Sequence, residues 1–353
     1  MTQRSSSPTE GRGHLRPRGC LRLRAAIVAT MLAVEAWTAT AAGAATGRAA
    51  TGSIVGVCAE EETLGAPGRS DPPDAVRELQ LGLRLLGRLA HPITGIYDER
   101  TREAVRRFQA EQGLVPDGVV GPRTWEALAK AYEQEVAGLA AMQRTPPGSA
   151  TDARRLPSHP ERQPGGYWIV VDTTVMELTL YRGDQVVHRW PVAVGKPSTV
   201  TPVGEWRVVR KDRDWGGGFG TRWLGLDVPW GMYGIHGTNK PWSIGTRASG
   251  GCIRMFNDHV ERLWDMVSEG TPVTIVGVLP EATWDSPIPA GASGWNVPIL
   301  QWALRGQGFD AGRADGRMGP QTMQAIAEAE RQWALPPVAA ATPDLFRALG
   351  LKR

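Results

Sequence analysis

Apolar positions in this chain change their spacing twice. Between residues 71 and 134 they recur at helical intervals: Val76, Leu79, Leu83 and Leu86 form one stripe, Ala104, Val105 and Phe108 a second, and Trp125 with Leu128 a third. Asp71-Pro72 and Asp98 stand where N-caps belong, Gly113 where a helix stops, and Gly121-Pro122 opens the third segment. From residue 166 the interval shortens to two. Trp168 and Val170, Leu178 and Leu180, then Val186, Trp190, Val192 and Val194 fall in β-type runs broken by Arg182-Gly183-Asp184 and Gly195, and Trp206, Val208 and Val209 continue them. Asp258 and Glu261 form a capping-box-like start to a helix bearing Val260, Leu263, Trp264 and Val267, and the strand Pro272 to Val276 follows. From about Gly294 helical spacing returns. The pattern predicts a multidomain chain, a mainly β domain with small all-α domains on both sides.

The two helical regions are copies. At a constant offset Leu79 matches Leu300, Gln80 Gln301, Leu83 Leu304, Gly95 Gly316, Thr101 Thr322, Ala104 Ala325, Leu114 Leu335, Pro122 Pro343 and Leu128 Leu349, with no gap. Ala329 stands in place of Phe108, and Val338-Ala339 in place of Asp117-Gly118, so the second copy keeps the fold signals and loses part of the surface.

Charge alters the picture once it is located. The formal net charge is +4, but residues 1–44 carry Arg4, Arg12, Arg16, Arg18, Arg22 and Arg24 against Glu10 and Glu35, which leaves the remainder neutral. Nucleic-acid binding loses its electrostatic warrant. The arginines precede an alanine-rich apolar run from Ala25 to Ala42 that ends in small residues, the layout of a secretory signal peptide, or of a membrane anchor if it is not cut. Either reading places the domains outside the cytoplasm, at the cell wall. The division is then a signal peptide at 1–44, a linker at 45–70, a helical domain at 71–134, a proline-rich linker at 135–165, the β domain at 166–279, a linker at 280–293 and the second helical domain at 294–353. Three cysteines, Cys20, Cys58 and Cys252, make no disulfide framework, and the six histidines show no zinc-ligand spacing.

Candidate chemistry gathers in one stretch, Tyr233 to Met255. His236 and Cys252 stand sixteen positions apart among glycines. A thiol with an ordinary pKa near ~8.5 attacks only as thiolate, so it needs a base beside it, and His236 is the candidate. Gly250 and Gly251 let backbone approach a substrate and aim N–H groups at an oxyanion. Gly237 leaves the carbonyl after the histidine free to accept a ring N–H. Ser249 either bonds within the loop or is a plain turn residue. Arg254, two positions past the cysteine, either clamps a substrate carboxylate or holds a neighbouring acid. Trp215, Trp223 and Trp242 lie in loop-like surroundings, and Trp242 is assigned to the groove.

His-Gly, a loop, then Ser249-x-Gly251-Cys252-x-Arg254, with Ala193-Val194-Gly195-Lys196 and Thr201-Pro202-x-Gly204 upstream, resembles the YkuD family of L,D-transpeptidases over residues 166 to 279. Some members carry a second histidine where this chain has Gly250. The three-helix unit resembles a common type of peptidoglycan-binding domain. The resemblance implies a β-sandwich with the cysteine at the mouth of a groove and a thioester acyl-enzyme on the stem peptides of peptidoglycan. It also implies cross-linking in wall biogenesis and cell shape, acylation by carbapenem-type β-lactams, no metal or organic cofactor, and a monomer. An L,D-carboxypeptidase or endopeptidase using the same pair, or a protein that only adheres to the wall, are the alternatives.

Overall fold

The computed structural model describes residues 63–140, 159, 161, 163–215, 217–277, 279 and 283–352. The expected signal peptide, Cys20, Cys58 and the greater parts of the linkers at 45–70 and 135–165 lie outside the described residues.

The first helical unit comprises α1 (Pro73–Leu85), α2 (Glu99–Glu111) and α3 (Pro122–Ala140). Proline opens α1 and α3, where a missing N–H costs nothing. Asp98 caps α2, its carboxylate accepting from Thr101 N at 2.9 Å. Asp71 does not cap α1. Pro72 holds that position without a side-chain bond, and Asp71 turns back to accept from Gly65 N at 3.0 Å. Val76, Leu79, Leu83, Ala104, Val105, Phe108, Trp125 and Leu128 form the core. Buried Gln80 stitches it together: Nε2 donates to Ile96 O and Thr101 Oγ1 at 3.0 Å, while Oε1 accepts from Thr94 N and Gly95 N at 2.9 Å.

The central domain is built on strands β1 (Tyr167–Asp172), β2 (Glu177–Arg182), β3 (Gln185–Pro191), β4 (Val194–Gly195), β5 (Gly204–Arg213), β6 (Arg222–Leu226), β7 (Tyr233–His236), β8 (Arg247–Ser249), β9 (Ile253–Arg254) and β10 (Pro272–Val276). Helix α4 (Asn257–Met266) follows β9. Eight strands form one sheet in the order β3-β2-β1-β10-β5-β6-β7-β9, while β4 pairs with β8. The sheet curls around one main core. Ile169, Leu178, Leu180 and Trp190 from one half share a cluster with Leu224, Ile235 and Ile253 from the other, and α4 adds Val260 and Leu263. In β1 the alternation divides between two cores rather than core and solvent, because both faces are covered. Ile169 and Val171 face the main cluster, and Trp168 and Val170 join a smaller one where the Trp168 and Tyr181 rings stack at 4.4 Å. The capping box at α4 is absent too. Phe256 occupies the N-cap with no side-chain bond.

The last unit holds the short pair β11 (Ile288–Pro289) and β12 (Ala340–Ala341) with helices α5 (Asn296–Gly306), α6 (Pro320–Gln332) and α7 (Pro343–Ala348). The glutamine stitch repeats: Gln301 Nε2 donates to Arg317 O and Thr322 Oγ1, and Oε1 accepts from Gly316 N at 3.1 Å. This unit is bonded to the sheet through Glu205 of β5, which is 0% exposed. Glu205 accepts from Arg305 Nη1 and Nη2 at 2.8 and 2.5 Å, Trp302 Nε1 at 3.1 Å and Ala314 N at 2.8 Å. Arg313 adds a 2.7 Å pair with Asp227.

Candidate active site

Two parallel strand ends form the site. Strand β7 pairs with β9 so that Ile235 stands level with Ile253 and His236 with Arg254. Carrying that register back one residue sets Cys252 level with Gly234. Residues paired level across a parallel ladder share a face of the sheet, so His236 and Arg254 point the same way, and Cys252 stands in the bend that leads into β9. The chain reaches this geometry because His236 ends β7 and its carbonyl accepts from Met255 N at 2.8 Å, just past β9.

The imidazole is fixed on every side. Nδ1 lies 2.5 Å from Gly237 O, which accepts its proton, and the Phe219 backbone gives the ring a second hydrogen bond. Trp223, opposite His236 across the β6–β7 ladder, stacks on the ring at 5.5 Å, and Phe219 meets it edge-on at 5.1 Å. His236 is 2% exposed. Burial first, then the charge of Arg254, pushes the imidazole from 6.5 down to about 3. It therefore rests neutral, able to accept a proton. The unfolded chain takes up a proton near pH 6.5 and the native chain only near 3, so this contribution to stability is present above 6.5 and lost as pH falls towards 3. Melting curves should show stability declining across that window, with a shallower decline in H236N; equal slopes would contradict a buried neutral imidazole.

Cys252 forms no disulfide and is 1% exposed, with Sγ 4.0 Å from the carbonyl of exposed Met232. Ser249 organises the turn before it, its Oγ donating to Cys252 O at 2.6 Å and accepting from Gly251 N at 3.1 Å. That bond corrects one expectation. The Gly251 N–H is engaged by Ser249 here and is not presented as an oxyanion donor. Glycine is required at 251 for shape: φ is +120°, and a Cβ would lie 2.8 Å from the Tyr233 ring. G251A should cost roughly 1–3 kcal/mol and slow acylation of Cys252; an unchanged melting temperature would contradict this.

Trp242 is not a groove residue. It lies in a 3-10 turn, Pro241–Ser243, and is 2% exposed because it inserts into the core of the first helical unit. It stacks on Trp125 at 5.9 Å, meets Tyr132 edge-on at 6.2 Å and lies over Gly82, where a side chain would collide with its ring at 3.1 Å. Arg254 likewise faces that unit, with Nη1 3.8 Å from Glu78.

Asn257 is a site residue that the sequence reading missed. Its Oδ1 accepts from Thr221 N and Thr238 N at 3.2 Å, and its Nδ2 donates to Thr238 O at 3.1 Å, tying the loop after His236 to the start of α4. Side chains at Gly220 or Gly237 would strike it. The only signal was an asparagine at the head of a helix, which reads equally well as an ordinary helix start.

Among the described residues no group of three or more His, Cys, Asp or Glu is placed to hold a metal ion.

A curled sheet carrying this His–Cys pair between two copies of one helical module is the build of a modular wall enzyme. Residues 166–275 match the L,D-transpeptidase catalytic domain of the YkuD type, and residues 72–128 and 293–349 each match a putative peptidoglycan-binding domain. The chain belongs to the YkuD family of L,D-transpeptidases, which are enzymes with acyltransferase activity. The putative L,D-transpeptidase YkuD of Bacillus subtilis is 44% identical over 120 residues, which are 34% of this chain and 72% of that one. Its Bacillus licheniformis counterpart is 47% identical over 109 residues, 31% of this chain and 65% of that one. A solved L,D-transpeptidase, LdtMt1 in complex with imipenem, aligns at 25% identity over 31% of this chain and 59% of that one, with a TM-score of 0.27.

Proposed function

We propose that the chain is an exported L,D-transpeptidase that cross-links peptidoglycan through an acyl-enzyme on Cys252. The observation that supports this reading is the pairing of β7 with β9, which sets His236 level with Arg254, two residues past Cys252, with Nδ1 committed to Gly237 O. The neutral imidazole takes the thiol proton. The Cys252 sulfur then attacks the carbonyl of the third residue of a donor stem peptide; an S–C bond forms and the C–N bond breaks. The terminal D-amino acid leaves with the proton from His236. An acceptor amine attacks the thioester, the C–S bond breaks, and the proton lost by the amine returns to sulfur by way of the imidazole. Because Cys252 is covered in this structure, the Met232 segment or its neighbours must move before substrate enters.

The strained amide of a carbapenem enters the same reaction and stays attached as a thioester. Purified protein incubated with disaccharide-tetrapeptides should yield cross-linked dimers, read by mass spectrometry. Free tripeptide with no dimer would make the enzyme a carboxypeptidase; no product of either kind would overturn the reading. The helical units tether the enzyme to sacculi and raise its local concentration there.

A further inference from the structure

Two of the most buried cations in the central domain belong to the segments that carry the reacting pair. Lys240 lies four residues beyond His236 and Arg254 two beyond Cys252, and they are 8% and 9% exposed. The carboxylate that meets both comes from another domain. Glu78, on α1, lies 2.6 Å from Lys240 Nζ and 3.8 Å from Arg254 Nη1. One turn earlier on the same helix face, Asp74 pairs with Lys196 at 3.2 Å, at the outer edge of the same region. One carboxylate thus serves two buried cations, and Arg254 Nη1 remains buried without a hydrogen bond. A guanidinium left in that state is costly, which marks the position as shaped for a better acceptor than the one it holds.

The spacing says what that acceptor is. Arg254 follows Cys252 by two residues and lies close enough to His236 for its charge to act on that ring. A peptide whose attacked carbonyl is followed by one terminal residue carries its free carboxylate one residue from the reacting carbon. We propose that Lys240 and Arg254, with Lys196 at the rim, form the recognition site for the terminal carboxylate of the acyl donor, and that Glu78 and Asp74 of the first helical unit occupy it in the docked arrangement. Donor binding and this contact exclude each other, so the helical unit holds the site with a mimic of the group that must displace it. The inference rests on the acyl-transfer reading above and deepens it.

The test measures acylation of Cys252 in the full chain by a carbapenem and by the methyl ester of the same compound, followed by intact mass. E78Q keeps the shape of the side chain and removes its charge, so the free acid should react about tenfold faster, the factor that corresponds to ~1.4 kcal/mol. K240Q breaks the same ion pair from the other side and should slow the free acid by a similar factor. With the ester, which offers the site no carboxylate, the two variants should not differ in sign. E78A repeats the measurement without any side-chain acceptor, and melting curves check that each variant is folded. Opposite signs for the two variants, seen with the acid alone, support the proposal. Equal signs, or an ester that follows the acid, reduce Glu78–Lys240 to a structural ion pair and overturn it. A wild-type adduct formed at a rate indifferent to E78Q overturns this inference alone; no wild-type adduct at all overturns the acyl-enzyme reading and this inference with it.

Discussion

C252A should form no carbapenem adduct and no cross-linked dimer, with turnover at or below about one part in 10⁴ of wild type, because the attacking sulfur is gone. The fold should survive. Removing one buried sulfur leaves a small void worth about 1 kcal/mol, and neither helical core touches that position. Sacculus binding should therefore be unchanged, which separates an enzyme from a protein that only adheres. H236N leaves the thiol without its base and should lose roughly 10²–10⁴-fold. Wild-type rates in C252A would end the case for a thioester. Wild-type rates in H236N would leave the thioester and remove the imidazole from it.

R305A should be strongly destabilising. Glu205 is fully buried and receives two bonds from Arg305. With the guanidinium gone, Trp302 and the Ala314 N–H remain, but a buried carboxylate has lost its counter-charge. That loss costs about 3–5 kcal/mol, which for a unit of this size lowers the melting temperature by well over ~10 °C. The double variant E205L/R305L should recover most of the loss, since it removes both charges and keeps the packing volume. If R305A melts with wild type, the interface is not carried by this pair.

What was legible in the sequence is what is local or repeated. Leu79, Leu83 and Phe108 announce helices because each residue's partner lies within a turn or two, and the matched Gln80 and Gln301 turn out to make the same internal bonds. The His236–Gly237 and Ser249–Cys252 contacts are equally short-range. What was not legible depends on residues far apart in the chain. Glu78 looks like any member of a solvated helix face until Lys240 arrives against it. Trp242, in a loop rich in glycine and proline, looks like a ligand-facing aromatic, because nothing near it in sequence foretells a berth over Gly82. Asp71 and Asp258 illustrate a milder failure: a residue with the right chemistry for a cap found a different donor or none. Interdomain packing has no period, so no reading of spacing can reveal it.

The seating of both helical units on the sheet also bears on how this enzyme can be handled. Trimming the chain to 166–279 strips Trp242 of Trp125 and Gly82, and uncovers Trp230, whose ring now lies against Trp295 and Gly316. Such a fragment would carry two bare indole patches and is expected to self-associate as its concentration rises. Poor solubility of the excised piece would then report lost covers, and would say nothing against the competence of the intact enzyme.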